Sequence, residues 1–78
     1  MVWLPFGIMP SNTETFGSRI RDRRQRLGLS QSALADVVGV NHRVIGELER
    51  GKPSVQLNIA LRVAEAVGLD VELHERGR

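Results

Sequence analysis

The sequence predicts an all-α domain: a compact set of four or five short helices followed by one short C-terminal β-strand. Three observations predict it. Apolar residues recur every three to four positions in four successive stretches, the period of a helix with one buried face. A glycine closes each stretch, at Gly28, Gly39, Gly51 and Gly68, where a left-handed residue ends a helix without steric cost. Only one run alternates instead: Leu69, Val71 and Leu73 against Asp70, Glu72 and His74, the period of a half-buried strand.

Taken in order, residues 1–12 read as a flexible apolar arm. Pro5 and Pro10 block helix, and the segment is too short to fold alone. Its Trp3, Leu4, Phe6 and Ile8 form a cluster suited to docking on a partner. The first helix is expected from Asn12 to Leu27, with Ser11 and Glu14 as a capping box and Phe16, Ile20 and Leu27 inward. Arg23 and Arg24 border that stripe, and an arginine beside a core needs a carboxylate. Ser30 is the expected N-cap of a second helix that turns Leu34, Ala35 and Val38 inward. Asn41 caps a third, with Ile45 and Leu48 inward and Gly51 and Pro53 closing it. Ser54 is expected to cap a fourth, reaching Val67.

That fourth helix carries two apolar stripes, Leu57, Ala60, Leu61 and Ala64 on one and Ile59, Val63, Ala66 and Val67 on the other. Such a helix needs cover on two sides. The preceding helices supply one, and a second subunit is the expected source of the other. The lone strand points the same way, because its backbone groups need a ladder partner. Pairing with the same strand of a twofold-related copy provides it. The expected organisation is therefore an arm at 1–12, a helical domain at 13–68, and a dimerisation strand and tail at 69–78.

Composition narrows the chemistry. At 78 residues the chain holds one domain. A core of this size is marginal and usually needs a disulfide, a metal or a partner chain. With 0 Cys and 2 distant His, neither a disulfide nor a metal is expected, and no cofactor. The same inventory speaks against catalysis, since His42 and His74 fall on exposed faces with no nucleophile at a useful spacing. The net charge is only +2, yet residues 19–26 read RIRDRRQR, five Arg against one Asp. Local positive charge with a small total suits a specific polyanionic partner. No apolar run reaches 18 residues, so no membrane partner is expected. The opening MVWLPFGIMP lacks the basic start of a secretion signal, and the expected compartment is the cytoplasm, in association with the nucleoid.

Two short helices joined by a tight glycine turn define a helix-turn-helix. Here its marks are Gln31, Ala35, Gly39, Ile45 and Leu48 within SQSALADVVGVNHRVIGELERG. Ala35 is small where the helices cross, Gly39 accepts a positive φ, and Ile45 and Leu48 lock the third helix onto the second. Residues 16–69 resemble the Cro/repressor (XRE-type) helix-turn-helix family, most distinctively in LGLSQSALA and LERGKPS. The single long fourth helix followed at once by LDVELHE resembles HipB-type antitoxins. That resemblance implies a C-terminal strand paired across a homodimer, repression of the protein's own operon, and a kinase-like toxin of the HipA type as partner.

In a helix-turn-helix the second helix of the pair lies in the major groove of double-stranded DNA with its N-terminal residues at base edges. Those residues are Asn41, His42, Arg43, Val44 and Glu47. Arg43 suits guanine O6 and N7, Val44 a thymine methyl, and His42 a guanine or a phosphate. Glu47 departs from the family's usual Gln or basic residue, and reads either as an acceptor for cytosine N4 or as a partner orienting Arg43. Gly46 is a second departure, unfavourable in a helix interior by about 1 kcal/mol against Ala. Ser30, Gln31, Arg50 and Lys52 are expected phosphate contacts, positioning the domain without reading sequence. By the resemblance, Arg24 and Glu49 match a structural ion pair joining the first helix to the end of the third. Two other readings stay open: a stand-alone phage-type or chromosomal regulator, and a protein-interaction module whose DNA binding has been lost.

Overall fold

The computed structural model describes residues 12–75. The arm at 1–10, Ser11 of the expected capping box and the tail after Glu75 lie outside the described residues. Within them the chain forms four helices: α1 (Asn12–Arg26), α2 (Gln31–Val38), α3 (His42–Glu49) and α4 (Leu57–Ala66). The apolar periodicity explains what they bury. Ile20 of α1, Leu34, Ala35 and Val38 of α2, Ile45 and Leu48 of α3, and Ala60, Val63 and Ala64 of α4 join Val67 in one cluster. Phe16, Leu29, Val40, Val55, Ile59 and Leu69 pack around it, half-buried. Ile20, Leu34, Ile45 and Val63 are each sealed from water, which stabilises the fold by about 1.5–3 kcal/mol apiece.

Local signals set the helix ends. The Ser30 hydroxyl accepts the Ala33 N–H at 3.0 Å, and Asn41 Oδ1 accepts the Arg43 N–H at 2.8 Å. Between them Gly39, at φ 85°, returns its own N–H to the Ala35 carbonyl and makes the tight turn. Two other ends are held by arginines from elsewhere in the chain. Arg62 of α4 donates to the Val38 carbonyl at the end of α2, and Arg23 Nε donates to the Val67 carbonyl, 3.0 Å away, at the end of α4. Cations at helix C-termini satisfy orphan carbonyls and oppose the helix dipole.

α3 packs against both α1 and α2, while α4 closes the other side of α2. The α1–α3 crossing depends on Gly17, buried in the first half of α1. A Cβ there would run into the Leu48 carbonyl and lie 2.8 Å from the Glu49 carbonyl oxygen. Backbone meets backbone at this point, so only glycine fits.

Two expected helix ends need correction. α1 ends at Arg26, so Leu27 turns outward and is 48% exposed. α4 begins at Leu57 behind Gln56, which makes no side-chain cap, and Ser54 caps nothing. The reason lies in the preceding turn: the Val55 N–H reaches back to the Lys52 carbonyl while Val55 packs on the core, and only then is the chain free to start a helix. The two expected stripes of α4 are divided differently: Ala60 and Ala64 of the first join Val63 and Val67 in the core, while Leu57 and Leu61 are exposed at 71% and 39%, as is Ala66 of the second. Residues 69–75 form neither helix nor strand. Leu69 is half-buried, but Val71 and Leu73 are exposed, so within the described residues the alternation has no ladder to join.

Candidate nucleic-acid interface

The face of α3 away from the core is the candidate site, and the buried face defines it. Ile45 and Leu48 are sunk at 0% and 5% exposure, which turns His42 and Arg43 fully outward at the start of the helix. Val44 and Glu47 sit half-buried at the margins of that edge, and Arg50 is exposed just past its end. Asn41 is also exposed, but its carbonyl oxygen is committed to capping α3, which leaves its amide hydrogens facing out. The edge thus presents donors at its start and a carboxylate one turn on.

Behind this edge lies a polar node joining three helices. Arg24 Nε and Nη2 donate to Glu49 Oε2 and Oε1 at 2.6 and 3.0 Å, a two-pronged ion pair. Arg24 Nη1 donates to the Leu29 carbonyl at 2.8 Å, in the turn between α1 and α2. Gln31 Nε2, from the first residue of α2, donates to Glu49 Oε1 at 3.2 Å. The side chains of Arg24 and Glu49 are 11% and 3% exposed. Donating these hydrogen bonds to Glu49 raises the Arg24 guanidinium pKa, outweighing the burial that would lower it. The node ties the start of α2 and the end of α3 to α1, so those two ends cannot drift apart.

Other candidate residues fall into two sets. Ser30 is exposed with its hydroxyl occupied as an N-cap, at the free amides of α2. Gln31 is half-buried and its amide serves the node. Lys52 Nζ lies 3.1 Å from Glu47 Oε2, so these two candidates meet each other and Glu47 does not meet Arg43. Gly46 is buried beneath Arg50 and Gln31: a Cβ there would sit 3.3 Å from Arg50 Nη1 and 3.6 Å from Gln31 Oε1. The missing side chain therefore makes room for polar groups of the neighbouring elements. Among the α1 arginines, Arg19 and Arg21 point to solvent and Arg26 bridges exposed Asp22 at 3.1 Å, a pair worth little in water.

Gly17 and Arg62 are not legible in the sequence as site-building residues, and Arg23, expected beside the core with a carboxylate, meets the Val67 carbonyl instead. Each acts on a carbonyl far away in sequence, which local spacing does not reveal. The described residues contain no cluster suited to a metal, and none of their helices is long and apolar enough to cross a membrane.

Comparison with known proteins gives this geometry a family. A helix-turn-helix domain family matches residues 15–77. An uncharacterised HTH-type transcriptional regulator of Methanothermobacter thermautotrophicus is 47% identical over 49 residues, 63% of this chain and 71% of that protein. The y4mF regulator of Sinorhizobium fredii is 37% identical over 57 residues, 73% of this chain and 75% of its own. Among solved structures, HipB chains in a HipA–HipB–O2–O3 complex and in a HipB–O4 20mer complex superpose with TM-score 0.76. Each superposition covers 90% of this chain and 99% of the other at 18% identity, a likeness of fold. With the glycine turn, the capped pair α2–α3 and the exposed edge of α3 all in place, the chain belongs to the Cro/repressor (XRE-type) helix-turn-helix family, a DNA-binding and non-catalytic family.

Proposed function

We propose that this protein is a sequence-specific transcriptional repressor acting as a homodimer, with α3 in the major groove of its operator. The observation that carries the reading is the division of α3, which exposes His42 and Arg43 while Ile45 and Leu48 anchor the helix from behind. Asn41, His42, Arg43, Val44 and Glu47 read bases. Ser30, Gln31, Arg50 and Lys52 hold phosphates, Gln31 through its backbone N–H because its amide is engaged with Glu49. Selection of duplexes from a randomised library, followed by salt titration, tests it. Arg43→Ala is expected to relax preference at one base pair by about 1–3 kcal/mol and leave the other positions intact. Binding that is indifferent to sequence in the unaltered protein would end the reading.

The dimer rests on unspent apolar surface. Leu57, Leu61, Val71 and Leu73 are all exposed, and a shallow depression between α4 and the C-terminal segment is lined by Leu61, Arg62, Glu65, Leu69, Asp70 and Val71. In a twofold dimer, residues 69–73 pair with their copies, and two α3 helices meet half-sites about 34–36 Å apart or a multiple of that. Removing residues 69–78 is expected to shift sedimentation toward monomer at submicromolar concentration; an unchanged profile would assign the dimer elsewhere.

The narrower reading is an antitoxin that represses its own operon and binds a kinase-like toxin of the HipA type. The fold shared with HipB chains, one of them in a complex with HipA, supports it. A stand-alone regulator is the second reading, favoured by relatives that bear only the description of HTH-type regulators. Copurification with the product of an adjacent kinase-like gene separates the two.

A further inference from the structure

Glu47 presents a problem for any DNA-facing edge. It is an acceptor-only group, two residues from the negative end of α3, on a surface meant to approach phosphates. The structure supplies its compensation. Lys52 Nζ lies 3.1 Å from Glu47 Oε2, and the Lys52 N–H donates to the Glu47 carbonyl at 3.0 Å, so residue 47 fixes both the backbone and the ammonium of residue 52. The Glu47 side chain is 24% exposed and that of Lys52 49%, which leaves both within reach of a docked molecule. Each group also keeps capacity in hand. Glu47 Oε1 has no hydrogen bond among the described residues, and the ammonium has two hydrogens beyond the one aimed at Oε2.

We propose that Glu47 and Lys52 act as one recognition unit: Lys52 is the internal counter-ion that lets a carboxylate face the duplex while also bonding a phosphate, and Glu47 selects a base that offers an amino hydrogen in the major groove. The inference rests on the repressor reading and deepens it. Cytosine N4 and adenine N6 are the major-groove donors, whereas guanine O6 and N7 and thymine O4 are acceptors that repel a carboxylate. Glu47 therefore specifies partly by exclusion, which a Gln, able to donate as well as accept, does not do. Lys52 in turn is no ordinary phosphate contact. Its removal leaves a bare carboxylate in the groove, so its loss weakens binding through Glu47 as well as through the phosphate.

The test is a double-mutant cycle on the full chain, using duplexes selected from a randomised library by the unaltered protein and a panel with each base pair changed in turn. Glu47→Gln is expected to lower discrimination at one base pair by about 10-fold, in the range of a single base contact. Lys52→Met in the unaltered background is expected to weaken the selected duplex by more than 10-fold, and in the Glu47→Gln background by only about 3-fold, the loss of one phosphate contact. Strictly additive losses, or base preferences untouched by Glu47→Gln, would overturn the unit while leaving the repressor reading intact. An unaltered protein that selects no duplex from the library overturns both. Unchanged thermal melting of the variants keeps either result from being a folding effect.

Discussion

α3 carries two glutamates two residues apart, and they have opposite fates. Glu49 turns inward, 3% exposed, and accepts from Arg24 and Gln31 at the meeting point of α1, α2 and α3. Glu47 turns to the rim, 24% exposed, and meets one lysine. Both are acids on the same helix, each near one cation. The difference is what surrounds the pair. At Glu49 water has been removed, and the pair is held by further hydrogen bonds on both sides. At Glu47 water remains, so the pair contributes little to folding and stays available to a ligand. The position on the helix face, rather than the residue type, decides whether a charge serves the architecture or the surface.

The comparison predicts a graded series. Glu49→Ala should have the largest effect, because it strands the Arg24 guanidinium in a dry site at a cost of about 3–5 kcal/mol. For a domain of this length each kcal/mol moves the melting temperature by about 4–8 °C, so a fall of more than about 12 °C is expected by calorimetry or circular dichroism. A shift of only a few degrees would place the pair in effective contact with solvent and erase the contrast. Gly17→Ala comes next, at about 1–3 kcal/mol destabilising, as an overpacked backbone crossing. Ala is the better helix former by about 1 kcal/mol, so a stabilised variant would mean that α1 can lift off the Leu48 and Glu49 carbonyls freely. Smallest of all, Glu47→Gln should change stability by less than about 0.5 kcal/mol, the usual scale for an exposed pair. A larger loss in urea unfolding would make Glu47 a second structural acid.

The sequence speaks clearly where chemistry is local. Ser30 and Asn41 precede short apolar-periodic segments and cap them as their types suggest, and Gly39 occupies the turn that needs a positive φ. The inward residues of α2 and α3 follow from period alone. What it obscures is tertiary. Leu27 lies on a helical stripe, but periodicity does not say that α1 stops one residue early, nor that Ala60 and Ala64 turn to the core while Leu57 and Leu61 of the same stripe stay exposed. Ser54 has the residue type of a cap, but the turn that holds Val55 on the core delays the helix to Leu57. At the site, the outward placement of His42 and Arg43 is readable from Ile45 and Leu48. The Glu47–Lys52 pair is not, because five residues across a helix end match no helical pairing rule. Gly46 is an anomaly in sequence that becomes intelligible only when Arg50 and Gln31 are seen folding over it.

The bare crossing at Gly17 has a mechanical consequence. At Gly17 no side chain separates α1 from the Leu48 and Glu49 carbonyls, and one side chain further along α1, Arg24, grips Glu49 itself, so the end of α3 is held by bare backbone and by an ion pair at once. Under the proposed function, a frame this stiff offers α3 little room to reshape itself to each duplex, and more of the accommodation falls to the DNA. The expectation that follows is a preference for operators that widen, twist or bend at low elastic cost, even at base pairs no side chain touches.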